Sequence, residues 1–164
     1  MYVCGVTVYD YCHVGHARAA IVFDTMYRYF QYLDYKVCFV RNFTDIDDKI
    51  IKRANEEGID WQEVNQKYIS AFYEDMGQLN IASPTEEPKA TDHIPEMLAM
   101  IQSLVDQDKA YEAEGDVFYS IKSFSDYGCL SGKNIDDLQS GARVEVNETK
   151  RNPLDFALWK KSKP

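Results

Sequence analysis

The sequence predicts an α/β fold, on three observations. Val3 to Val8 is a short apolar run with the character of a buried strand. Val22, Met26, Tyr29, Phe30 and Leu33 then recur at three- and four-residue steps, the period of a helix. Lys36 to Phe43 is again rich in β-formers. Strand, helix and strand within about 40 residues have the size of one right-handed βαβ unit with parallel strands.

The elements that follow read in order. Thr44-x-x-Asp47 matches a capping box and is expected to open a helix through about Glu57, stopped by Gly58. Asp60 with Glu63 caps a second helix, whose stripe is Val64, Tyr68, Phe72, Met76 and Leu79. After the proline-containing loop 82–89, Thr91 or Asp92 is expected to cap a third. Its stripe is Ile94, Met97, Leu98, Ile101, Leu104 and Val105, with Pro95 tolerable in the first turn. Ala110–Ile121 alternates around Glu114-Gly115 like a hairpin, and Ala142–Val146 has the pattern to pair with it.

At 164 residues the chain is about one domain's worth. Hydrophobic residues are 45% and charged residues 27%, ordinary for a globular protein. No apolar run reaches the roughly 18 residues of a membrane span, and the first residues carry no secretory signal pattern. A cytoplasmic enzyme or binding module with no membrane partner is the expectation. The net charge of -9 is unevenly spread. Residues 1–55 hold 7 basic and 6 acidic groups, residues 56–149 hold 6 and 20, and residues 150–164 hold 5 and 1. The acidic stretch reads as a connective insertion (56–149) between a first half of a nucleotide-binding core (1–55) and a return segment (150–164). Cys4, Cys12, Cys38 and Cys129 include no C-x-x-C pair, so reduced and mostly buried thiols are expected.

The chemistry concentrates where the first strand gives way to the first helix. In open α/β sheets ligands sit beyond the carboxyl ends of the strands, and helix N-termini there present unpaired N–H groups to anions. His13-Val-Gly15-His16 stands at that point. Gly15 removes a side chain where a ligand approaches the backbone closely. Two imidazoles one turn apart donate to phosphate oxygens without adding a fixed charge, which suits an in-line displacement at an α-phosphate. A bland reading stands beside it, in which both histidines merely finish the helix end.

Met1-Tyr-Val-Cys-Gly-Val-Thr-Val-Tyr-Asp10, His13-Val-Gly-His16-Ala-Arg18 and Val40-Arg-Asn-Phe-Thr-Asp-Ile-Asp-Asp-Lys-Ile50 together resemble the cysteinyl-tRNA synthetases. The likeness continues through Pro88–His93, Gly115–Val117, Gly141–Val144 and Lys150–Lys160. It implies a Rossmann-type class I core with an inserted α+β subdomain. It also implies ATP-dependent activation of L-cysteine to cysteinyl-adenylate, with Mg²⁺ accompanying ATP, and transfer to tRNA(Cys).

By the same resemblance His13, Gly15 and His16 match the ATP-binding signature, with His13 and His16 catalytic. Cys4, Gly5, Thr7 and Thr44 match positions around the substrate cysteine, and Cys4 matches the first ligand of a Zn²⁺ site. The other three zinc ligands, a lysine-rich second signature and the anticodon-binding helices would lie beyond residue 164. The chain is accordingly expected to be a catalytic-half fragment, inactive alone. Asp45, Asp47, Asp48 and Lys49 fit the family string but are explained mostly by a solvated first helical turn. Cys12 has no catalytic role, and Cys38 and Cys129 are expected to pack in the interior. Three rivals remain open: a Cys₂His₂ zinc site made of Cys4, Cys12, His13 and His16; the related cysteine ligase of mycothiol biosynthesis; and a truncated nucleotide- or partner-binding module.

Overall fold

Parallel strand pairing organises the first part of the chain. The computed structural model describes residues 1–132 and 149–161. Strand β1 (Tyr2–Val3) pairs in parallel with β2 (Val40–Arg41), Tyr2 opposite Val40 and Val3 opposite Arg41. Helix α1 (Val14–Tyr32) connects them, so the expected βαβ unit is present. Its regular strands are shorter than the sequence runs, because the backbone leaves and rejoins the sheet. Thr7 bridges Thr44 in parallel, and Val40 and Phe43 bridge Glu86 and Lys89 in parallel on the other side. Three extended segments therefore run side by side, with 86–89 outside 40–44 and 40–44 outside 2–7.

The chain forms two compact units, Met1–Ile94 and Pro95–Pro164. In the first, α2 (Asp48–Glu57) and α3 (Trp61–Gln78) pack together against the strands. The core is Val8, Phe43, Ile50, Ala54, Val64, Tyr68, Phe72 and Met76, all buried. The expected α3 stripe is thus buried up to Met76, while Leu79 caps the helix and is exposed. Gly58 ends α2 in the left-handed conformation at φ 68°, a position that favours glycine.

Four expectations are corrected. Thr44 does not cap α2: it stays in the extended strand, and Asp47 accepts the Lys49 N–H at 2.9 Å in its place. The expected stripe of α1 faces away from the sheet, with Val22, Met26, Tyr29, Phe30 and Leu33 each 40–58% exposed. The half-buried face is instead Ala20, Phe23 and Tyr27, with Tyr27 against Phe39 at 5.2 Å between rings. A helix with apolar residues on two faces gives no single stripe to read. Neither Thr91 nor Asp92 caps α4 (Ile94–Asp106), which a short 3₁₀ turn (Ala90–His93) precedes; no residue of α4 is buried. Among the cysteines, Cys4, Cys38 and Cys129 are exposed and Cys12 half-buried, so Cys38 and Cys129 are not interior packing.

In the second unit β3 (Ala110–Ala113) and β4 (Asp116–Tyr119) form the expected hairpin, Glu114 and Gly115 both turning at positive φ. The third strand is β5 (Phe156–Trp159), antiparallel to β4. The expected partner Ala142–Val146 lies outside the described residues. Asp155 fixes this return. It is 2% exposed and accepts the Ile121 N–H at 3.0 Å, the Tyr111 hydroxyl at 2.8 Å and the Asn152 N–H at 3.2 Å. Asp155→Ala leaves three donors without an acceptor and is expected to cost about 3 kcal/mol or more. Urea unfolding followed by tryptophan fluorescence measures it, with Asp155→Asn expected to lose less.

Candidate functional site

The turn between β1 and α1 is held by close backbone contact. Gly5 donates its N–H to Asn42 Oδ1 at 2.9 Å, and the Tyr2 hydroxyl donates to the same oxygen at 3.0 Å. A Cβ on Gly5 would collide with the Asn42 carbonyl oxygen and lie 2.7 Å from its carbon. Glycine is thus required here by the neighbouring strand, whatever a ligand demands. Neither the asparagine nor this contact stood out in the sequence, because the contact joins residues 37 apart.

His13 and His16 cap α1 reciprocally. His13 Nδ1 accepts the Gly15 N–H at 3.0 Å, and His16 Nδ1 accepts the His13 N–H at 3.1 Å. This is a capping box built from two imidazoles in place of a hydroxyl and a carboxylate. The rings lie 4.0 Å apart between centroids. A Cβ on Gly15 would come within 2.8 Å of the His13 ring, so Gly15 makes room for the cap itself. Because each Nδ1 accepts, each neutral ring carries its proton on Nε2. The capping and phosphate-donor readings are therefore compatible: one nitrogen of each ring finishes the helix, and the other retains a donor.

Cys4, Gly5, Gly15 and His16 line one cavity of about 180 Å³, whose wall also includes Arg41 and Phe72. Arg41 is buried, with its guanidinium 4.7 Å from the Phe72 ring centre. Its Nε and Nη2 donate to Glu87 Oε1 at 3.2 and 2.5 Å, while Glu87 Oε2 accepts the Tyr73 hydroxyl at 3.0 Å. Burial and this carboxylate push the Tyr73 hydroxyl up to about 12. Thr7 and Thr44 are bridge partners and so stand side by side on one face of the strands. Asp45, expected in a solvated turn, is buried, with its carboxylate bonded to Thr91.

Cys12 lies on the other side of the helix start, beside Asp75 and His13. Burial, and secondly the Asp75 carboxylate, pushes its thiol up, which keeps it a poor nucleophile. Among the described residues no three His, Cys, Asp or Glu side chains converge to hold a metal ion. The four residues Cys4, Cys12, His13 and His16 do not converge: Cys4 lines one cavity and Cys12 another. Cys4 alone is an exposed thiol, able to serve as one ligand but not to hold a metal.

The mixed helix and strand architecture is of the α/β class, and comparison gives the chain a family. A model of the tRNA synthetases class I (C) catalytic domain matches residues 1–164, and the chain belongs to that family. It is 60% identical to a cysteine--tRNA ligase of Pelobacter propionicus and 61% identical to one of Desulfotalea psychrophila, over all of this chain and 33% and 34% of the relatives. A cysteine--tRNA ligase of Trichlorobacter lovleyi is 58% identical over the same span. The chain thus spans about a third of the length of the curated relatives it matches.

The cap is pH-sensitive in a defined direction. Burial, and secondly His13, lowers the His16 pKa below its usual value. A lowered folded pKa means the contribution to stability is complete above about pH 6.5 and is lost as pH falls through the lowered value. Protonated His16 also loses the Nδ1 lone pair that accepts the His13 N–H. The protection of the His13 amide, measured as its exchange rate relative to the intrinsic rate at each pH, is expected to fall on acidification below about pH 6.5, while protection at the Asp60-capped start of α3 does not follow the same titration.

Proposed function

We propose that this chain serves in the ATP-dependent activation of L-cysteine to cysteinyl-adenylate and its transfer to tRNA(Cys). Its identity of about 60%, over every residue, to relatives named cysteine--tRNA ligase carries this reading. Those names favour the synthetase over the mycothiol-pathway ligase, which transfers to an amino sugar. The three parallel segments 2–7, 40–44 and 86–89 support a Rossmann-type core half. Residues 1–55 begin that core, 150–164 return toward it, and 56–149 are the connective insertion, whose segment 86–89 lies along the core strand 40–44. Helix α3, within 56–149, shares one core with α2, Val8 and Phe43. The setting is cytoplasmic in this reading, and among the described residues no helix is long and apolar enough to cross a membrane.

In this mechanism a carboxylate oxygen of cysteine attacks the α-phosphorus of ATP, and pyrophosphate leaves. His13 and His16 each offer an Nε2–H to phosphate oxygens as charge builds on them, with the rings fixed by their capping bonds. Gly15 makes room for the His13 ring, and the α1 N-terminus faces the anion. Cys4, Gly5, Thr7 and Thr44 surround the substrate cysteine. Cys4 would be a ligand to Zn²⁺, which would supply preference for a soft thiolate over a serine hydroxyl. Mg²⁺ accompanies ATP. The 3′ end of tRNA(Cys) then takes the cysteinyl group, releasing AMP.

The test uses a chimera in which this chain replaces the matching segment of the Pelobacter propionicus ligase. His16→Ala is expected to lower cysteine-dependent ATP–pyrophosphate exchange on the order of 10²–10³-fold with cysteine KM little changed. A rise in cysteine KM as large as the fall in turnover removes the phosphate role. Cys4→Ser is expected to lower zinc content and raise cysteine KM steeply while ATP KM moves little. Full zinc content with unchanged cysteine KM removes Cys4 from the site.

A further inference from the structure

We infer that Asp45 is a positioning residue that sets the place of Thr44, and with it the cysteine subsite; the inference rests on the role proposed for Thr44 above. Thr44 is the last residue of the strand before the chain turns toward α2. Its N–H donates to the Val6 carbonyl at 3.0 Å, but its own carbonyl accepts the Val8 N–H at a slack 3.4 Å. On the opposite edge the pairing ends one residue earlier, with Phe43 bonded to Pro88 and Ala90 at 2.9 and 3.1 Å. Ladder bonds alone thus hold the Thr44–Asp45 peptide weakly.

Asp45 supplies the missing grip from two other elements. Its Oδ1 accepts the Thr91 N–H at 3.0 Å and its Oδ2 the Thr91 hydroxyl at 2.5 Å, fastening it to the 3₁₀ turn. Its main-chain carbonyl accepts Asn65 Nδ2 from α3 at 2.6 Å. Asn65 makes this bond while its own Oδ1 stays buried with no protein partner among the described residues. Asp45 is 4% exposed and forms no ion pair among the described residues. A buried carboxylate met only by neutral donors is a poor route to stability. Two buried polar residues that each carry such a burden, and that together fix one peptide, are explained by the position that peptide must keep. Any swing that moves Thr44 breaks the bonds to Thr91 and Asn65 together.

The experiment uses the same chimera, with Thr44→Ala as the control for the subsite. Asp45→Asn and Thr91→Val are each expected to raise cysteine KM roughly tenfold, the equivalent of one hydrogen bond. ATP KM should stay within about twofold, and Thr91→Ser, which keeps the hydroxyl, should restore the wild-type value. The double variant should be no worse than the worse single one, since both cut one link. Cysteine and ATP KM rising in step with a falling melting temperature overturn the inference and leave a structural role. An unchanged cysteine KM in the Asp45 and Thr91 variants, with a raised one in Thr44→Ala, overturns it and spares the subsite. An unchanged KM in Thr44→Ala overturns the subsite itself. The amide and methyl resonances of Thr44 in the 164-residue chain read the positioning directly: they should shift in Asp45→Asn and Thr91→Val and not in Thr91→Ser, and unmoved resonances overturn the inference.

Discussion

The approach of Gly5 to the peptide at Asn42 is the constraint on which the first unit depends. Parallel strands carry slanted, evenly spaced hydrogen bonds and are held in register by little else when they are short. Here only two residues of each strand pair regularly. Register is secured instead by a side chain, Asn42, whose single oxygen takes both the Gly5 N–H and the Tyr2 hydroxyl. Because no Cβ fits at residue 5, the two chains pass closely enough for Thr7 to meet Thr44 further along. The entry to α1 and the placing of both histidines follow from where that strand ends.

The histidine pair shows how one motif satisfies two requirements. A helix start leaves N–H groups without partners, and Ser, Thr, Asp or Asn usually answers that need. Imidazole has two nitrogens with opposite roles, so it caps with one and keeps a donor on the other. The capping bonds also choose the tautomer, leaving the Nε2–H of each ring as the donor. Structural and chemical accounts of His13 and His16 therefore do not compete.

Features fixed by local chemistry were legible in the sequence. The Asp60 cap, the Gly58 stop, the Glu114-Gly115 turn and the α3 stripe each depend on residues within one or two turns of one another. What escaped depends on distant partners. Asp45 read as solvated because its neighbours are acidic, yet it faces Thr91, 46 residues away. Thr44 fitted a cap pattern and was kept in the strand by Thr7. Asp155 holds the second unit's sheet through residues 34 and 44 positions distant. The contacts of Asn42, Arg41 and Asp45 likewise join residues 37 to 46 positions apart, beyond the reach of any local pattern.

The outward row on α1 bears on how the chain behaves as a solute. Val22, Met26, Tyr29 and Leu33 leave apolar surface in contact with water along one helix, and Tyr32 and Tyr35 extend it. Separate molecules are kept apart at neutral pH by the net charge of -9. That repulsion weakens as salt shortens its range and vanishes near the isoelectric point of about 4.8. Mild acid therefore removes the colloidal barrier while leaving the sticky helix in place, and self-association sets in from the acidic side of neutrality, in a range where the histidine cap is also being lost.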